Sequence, residues 1–188
     1  MVYMVIGMIG FVSFLLFDIS SMKKWSFVKY VFIVIGISLM VWSTVQMAYL
    51  APSFLVSSGA RIVAFGLSVV FFGLLIYSVF IEVGIKTYKK VAHHELVTDG
   101  TYSLVRHPGV IWLFLLYFFL SIVFMNTELL ITAFVWTFVN TLYIMFQERI
   151  VLRKIFQEYD RYTLTTPMVI PNIQSLRKFM TSTIWRKE

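Results

Sequence analysis

From residue 98 to residue 149 the chain reads TDGTYSLVRHPGVIWLFLLYFFLSIVFMNTELLITAFVWTFVNTLYIMFQER. Two charge-free apolar runs, residues 110–125 and 129–146, are separated only by Asn126, Thr127 and Glu128. Runs of this length and hydropathy read as membrane helices, and a three-residue link makes them an antiparallel helical hairpin. The polar segment before the hairpin and the polar segment after it then emerge on the same face. Residues 86–109 and 147–172 are thereby brought together at one membrane boundary, where a composite site can form.

Working outward, the whole chain has the same character. Of 188 residues 60% are hydrophobic and 13% charged, and the mean hydropathy is +0.85. These values belong to an all-α polytopic membrane protein and not to a soluble domain. Three further charge-free runs, residues 1–17, 27–50 and 62–81, bring the expected spans to about five. The first and fourth are short for a crossing of about 20 residues, so the reading requires extension at their ends, an upright pose or local thinning of the bilayer. Residues 1–17 lack a basic n-region and a small-residue cleavage site, so they read as a retained helix. No Pro-rich or Gly/Ser-rich linker divides the chain, which reads as one membrane domain over residues 1–188, with 1–94 supplying three helices and a loop start and 173–188 a basic tail. There is no cysteine, which excludes disulfides, thiolate nucleophiles and cysteine-bound metal centres.

Fifteen of the 16 lysine and arginine residues fall on connections of one side, and only Arg61 on the other. The positive-inside rule then places the N-terminus outside and the C-terminus in the cytoplasm. The net charge of +7 reads as topology and attraction to anionic head groups of the bilayer, with no nucleic-acid partner. Gly66 and Gly73 are candidates for close helix packing, within the chain or between copies.

The loop before the hairpin carries the candidate chemistry. Asp99-Gly100 signals a turn. Pro108 fits the first turn of the helix beginning near Val110 and pushes His107 towards an extended conformation. Arg106 and His107 then stand beside a helix N-terminus, a place that attracts an anion. The alternative is a snorkelling Arg106 with His107 as a cap. After the hairpin, Leu152 and Phe156 follow Glu148 at i+4 and i+8, so the helix is expected to continue past the membrane. Glu148 there needs a partner: Arg149, Arg153 and Arg106 qualify for a salt bridge, or the carboxylate receives a cationic group of a ligand. Tyr159 and Tyr162 read as an interfacial aromatic belt or as substrate contacts. Pro167 and Pro171 end the helix and bend the chain. His93, His94 and Glu95 invite a metal reading, but adjacent histidines diverge and few other ligand types are present.

The run Leu96-Val97-Thr98-Asp99-Gly100-Thr101-Tyr102, then Arg106-His107-Pro108, then Glu148, Leu152, Phe156, Tyr159, Tyr162, Pro167 and Pro171, resembles the catalytic half of the isoprenylcysteine carboxyl methyltransferases and the related phospholipid methyltransferases. The resemblance covers about residues 95–172. It implies S-adenosylmethionine bound at the cytosolic boundary and a lipophilic methyl acceptor entering from the bilayer, with an isoprenylcysteine carboxylate as the first expectation and a phospholipid amine as the second. It implies Arg106, His107 and Glu148 as catalytic residues, and Leu96, Val97, Gly100, Tyr102, Arg106, His107, Pro108 and Glu148 as cofactor contacts. The family usually has tyrosine where this chain has Val110 and often glycine at Trp112, and its paired glutamates are reduced here to Gln147-Glu148-Arg149. Two other classes stay open: a nicotinamide-dependent membrane reductase, whose C-terminal half resembles this one, and a non-enzymatic scaffold.

Overall fold

The computed structural model describes residues 1–23, 25–82 and 96–184. Lys24, Lys86, Lys89, Lys90, the His93-His94-Glu95 cluster and the basic residues Arg186 and Lys187 lie outside the described residues, and with them the metal reading. Every regular element among the described residues is helical. In chain order these are α1 (Val2–Met22), α2 (Ser26–Ala48), α3 (Ser58–Ile76), α4 (Thr101–Leu104), α5 (Pro108–Val123), α6 (Thr127–Phe146), α7 (Tyr159–Thr165) and α8 (Ile173–Ile184).

Among the described residues four helices are long and apolar enough to cross a membrane: Val2–Met22, Phe27–Ala48, Ser58–Glu82 and Thr127–Ile155. The fifth, α5, is apolar but has only 16 residues. It therefore rises about 24 Å, against about 30 Å for a hydrocarbon core. The first run, short in the sequence, gains its length by continuing through Asp18 to Met22. Within that continuation the Asp18 carboxylate is buried and hydrogen-bonded by Tyr143 of α6 and by Gln147, the residue that follows it.

The helices form an arc in the order α2, α1, α6, α5, α3, each packed along its neighbour. The inner surface holds Phe11, Met47, Leu113, Leu116, Tyr117, Leu129, Ala133 and Trp136. The α1 and α2 backbones approach closely at Gly10 and Gly36, where a Cβ on Gly10 would lie 2.9 Å from the Gly36 carbonyl oxygen. Gly7 leaves the space that the fully buried Trp136 ring fills, and the Trp136 indole donates to the Met4 carbonyl at 3.0 Å. For packing within the chain the expectation for Gly66 and Gly73 is corrected: a Cβ at either would meet nothing within 4 Å. Both sit on α3, which turns Ile62, Val63 and Val70 outward, while Phe65, Val69 and Phe72 line an inner cavity.

The predicted hairpin is present. Asn126 closes it, accepting from Leu129 N–H at 3.1 Å as the cap of α6 and donating to the Met47 carbonyl of α2 at 3.0 Å. At the opposite end α3 and α6 both loosen into π-helical turns, Tyr77–Glu82 and Gln147–Leu152. Such turns occur where a helix must re-aim side chains, frequently at functional sites. The tail after Asn172 is a helix, α8, capped by reciprocal Asn172–Ser175 bonds and packed on α4.

Candidate functional site

Pro108 is the first residue of α5 and His107 its cap, so the chain enters the membrane immediately after Arg106. The Arg106 and His107 N–H groups donate to the Pro167 and Met168 carbonyls at 2.9 and 3.1 Å. The segment bent by Pro167 is thus fastened to the start of α5, and the two polar segments flanking the hairpin meet as the hairpin requires.

Glu148, in the π turn, is the hub. Arg106 grips it with two hydrogen bonds, Nε to Oε1 at 2.8 Å and Nη2 to Oε2 at 3.1 Å. His107 Nε2 lies 2.8 Å from Oε1, and the Tyr159 hydroxyl donates to Oε1 at 2.9 Å. Arg106 Nη1 donates to the Thr163 and Thr166 carbonyls at 3.2 and 2.8 Å. Arg106 and Glu148 side chains are each only 11% exposed, and fork-to-fork pairing is the strong form of such an ion pair. Of the three arginines considered as partners for Glu148, Arg106 takes the place; Arg153 instead reaches Asp160 at 3.3 Å.

A second tier fixes the loop. Glu82, ending the π turn after α3, accepts from the Thr101 N–H at 3.1 Å and from the Thr101 hydroxyl. Tyr102 donates to the Ser78 carbonyl at 3.2 Å, and Tyr162 donates to the Tyr102 carbonyl at 2.5 Å. Gly100 enters α4 at φ 63° and ψ −135°, a conformation in which a side chain is strained. Burial, aided by Glu82, pushes the Tyr102 phenol up to about 12. Burial and then the neighbouring Glu148 carboxylate push the Tyr159 phenol upward, and burial also raises that of Tyr162. All three therefore stay protonated donors at neutral pH.

These tiers border a cavity of about 960 Å³ that runs up between α2 and α3. Those two helices end the arc, and among the described residues they do not pack along each other, so the cavity has an apolar lateral side. Leu96, Val97, Tyr102, Arg106, His107, Pro108, Tyr159 and Tyr162 line it; Gly100 and Glu148 are not on its wall. The structure thus gathers the expected residues but gives Glu148 to its protein partners. His107 Nδ1 has no hydrogen-bond partner among the described residues. Asp18, Tyr143 and Gln147 also line the cavity. Asp18 carries no sequence signal beyond being a lone acid at the edge of an apolar run, though an ionisable residue in a membrane helix is itself a pointer to function.

A family model described as phospholipid methyltransferase matches residues 59–159. The chain belongs to the phospholipid methyltransferase family. The match runs from the first turn of α3 through Tyr159, so it contains Arg106, His107, Glu148 and both π turns. It also extends the family likeness upstream of residue 95, across a helix that reads in the sequence as a generic span. Comparison with curated proteins and with solved structures finds no match. The phospholipid methyltransferase family is one of integral membrane methyltransferases, and the apolar helices here accord with that setting.

Proposed function

We propose that the protein transfers a methyl group from S-adenosylmethionine to a lipophilic acceptor that reaches the site from the bilayer. The observation that carries this reading is the cavity itself: one continuous space with an ordered polar floor at His107 and Tyr159 and an apolar side between α2 and α3. Its volume lies within the range of small-molecule sites. A methyl donor with one carboxylate and one ammonium fits the groups present. The start of α5, where the Gly109 N–H has no intrahelical acceptor, suits the carboxylate. His107 Nδ1 suits a hydrogen bond from the ammonium, and Leu96 and Val97 offer apolar surface to the nucleoside. Among the described lining residues Arg106 is the only lysine or arginine, and its guanidinium is committed to Glu148, Thr163 and Thr166. This supports a cofactor of small charge over a nicotinamide phosphate, which needs several cations.

When bound, S-adenosylmethionine supplies an electrophilic methyl on sulfur. The chain's own part is positional. Glu148 fixes the orientation of His107 and Tyr159, Arg106 ties that carboxylate to the 163–166 backbone, and the apolar walls keep bulk water from the acceptor. Holding two reactants in line supplies much of the rate enhancement of such a transfer. The acceptor is an isoprenylcysteine carboxylate or a phospholipid amine; the motif resemblance supports both, and the family match the second. In this reading the site faces the cytoplasm, as the lysine and arginine distribution implies.

Calorimetric titration of detergent-purified protein with S-adenosylmethionine and S-adenosylhomocysteine tests the reading. Saturable binding by the wild type, lost in His107→Ala, is expected. Folded wild-type protein that binds neither compound would overturn it.

A further inference from the structure

Asp18 lies outside the residues matched by the family model, in a helix otherwise built of apolar and small polar residues, and is only 5% exposed. Tyr143 Oη donates to its Oδ2 at 2.6 Å and Gln147 Nε2 donates to the same oxygen at 3.1 Å. Oδ1 receives no hydrogen bond among the described residues, and no described cation pairs with Asp18. A half-used carboxylate in an apolar setting is costly unless something completes it. A purely structural bridge from α1 to α6 needs only a neutral acceptor.

The surroundings say what completes it. Asp18 lines the same cavity as His107, as do the apolar Phe14, Phe17 and Ile33. Asn140, one turn before Tyr143 on α6, also lines that space and its amide has no hydrogen-bond partner among the described residues. The donors nearest Asp18 are already spent on Oδ2. A carboxylate brought to this place would face Asp18 charge to charge, with the Tyr143 phenol and the Gln147 amide already engaged on Oδ2 and the neutral Asn140 amide as its donor. An amine or ammonium has N–H groups, or positive charge, for Oδ1, and its hydrocarbon lies against the apolar walls. Gln147 and Glu148 are consecutive, so the π turn that follows α6 presents both the Asp18 partner and the His107 anchor.

We propose that Asp18, held by Tyr143 and Gln147, is the head-group site of the methyl acceptor and selects an amine over a carboxylate. This rests on the methyltransferase reading, and it makes the N-terminal helix a specificity element of the reaction.

The test uses the full chain in nanodiscs of zwitterionic lipid. The probes are a radiolabelled long-chain N-methyl alkylamine and the fatty acid of the same chain length, each corrected for partition into protein-free nanodiscs. The wild type is expected to bind the amine saturably and in preference to the acid. Asp18→Asn, which keeps an oxygen for Tyr143 and Gln147, should weaken amine binding by about tenfold or more, as loss of a buried charge partner does, while S-adenosylhomocysteine still binds. Equal binding of amine and acid by the wild type, or unchanged amine binding by folded Asp18→Asn, overturns the proposal. Should Asp18→Asn fail to fold, Gln147→Lys places a tethered ammonium against Asp18 and is expected to abolish amine binding; normal binding there also overturns it. A wild type that selects the amine through Asp18 but ignores S-adenosylhomocysteine would remove the methyltransferase reading and leave the amine site standing.

Discussion

Glu148 shows how one side chain can organise a site without standing on its wall. Three donors converge on Oε1 and a fourth bond reaches Oε2. Removing the carboxylate strands the Arg106 charge among the 163–166 carbonyls. Glu148→Ala is therefore expected to lower stability by about 3–5 kcal/mol, the usual consequence of breaking a buried ion pair, seen as a lower thermal midpoint in detergent. Loss of cofactor binding should accompany it, because His107 loses its orientation. A thermal midpoint equal to that of the wild type would count against the hub. Tyr102 sets a second expectation. Its folded value of about 12 lies above the ordinary phenol value of about 10, so the folded state holds the proton more tightly. That stability is complete below pH 10 and is lost as pH rises towards 12. Tyr102→Phe should accordingly lessen alkaline unfolding in that window, read by circular dichroism against pH. The residues of this cluster were legible in the sequence: Arg106, His107, Glu148, Tyr159 and Tyr162 were all singled out. Their pairing was not, because the sequence offers Glu148 three arginines and no geometry to choose between them. Asp18 escaped notice since its partners are 125 and 129 positions away along the chain.

At the scale of elements, hydropathy and the short 126–128 link give the hairpin, and the i+4 spacing of Glu148 and Leu152 gives the helical continuation, which ends at Ile155. What hydropathy cannot report is which small residues face a neighbour. Gly66 and Gly73 look like packing sites, yet the close approaches within the chain fall on Gly7, Gly10 and Gly36. All five sit in runs that are apolar on every side, so the sequence carries no amphipathic stripe to distinguish lipid from protein. Gly10→Val should force α1 from α2, costing about 1–3 kcal/mol as overpacking does; the equivalent change at Gly66 should be nearly silent. Thermal denaturation of the two variants side by side decides this. Asn126→Ala removes both the α6 cap and the tie to Met47, and should cost about 1–2 kcal/mol. A cost of zero would mean that the hairpin tip does not anchor α2. The π turns were also unreadable, since one extra residue per turn leaves no mark in composition.

For the whole molecule, the arc α2, α1, α6, α5, α3 leaves its two ends apart, and the cavity opens where the ends fail to meet. The expected orientation makes a checkable claim about this shape: a reporter fused after Glu188 should be active only in the cytoplasm, and one fused before Met1 only outside. The reverse result would put the cavity floor on the wrong side for a cytoplasmic cofactor. Helix α5 adds a consequence of its own. Its 16 residues fall about 6 Å short of the hydrocarbon thickness, so the floor built on its first turn is sunk below the level at which longer helices end. An acceptor with its chains still among the lipids need not be lifted into water to present its head group there. For the proposed reaction, the quantity that governs saturation is then the acceptor's mole fraction in the bilayer. Diluting the membrane with inert lipid should slow turnover even when the total amount of acceptor in the vessel is unchanged.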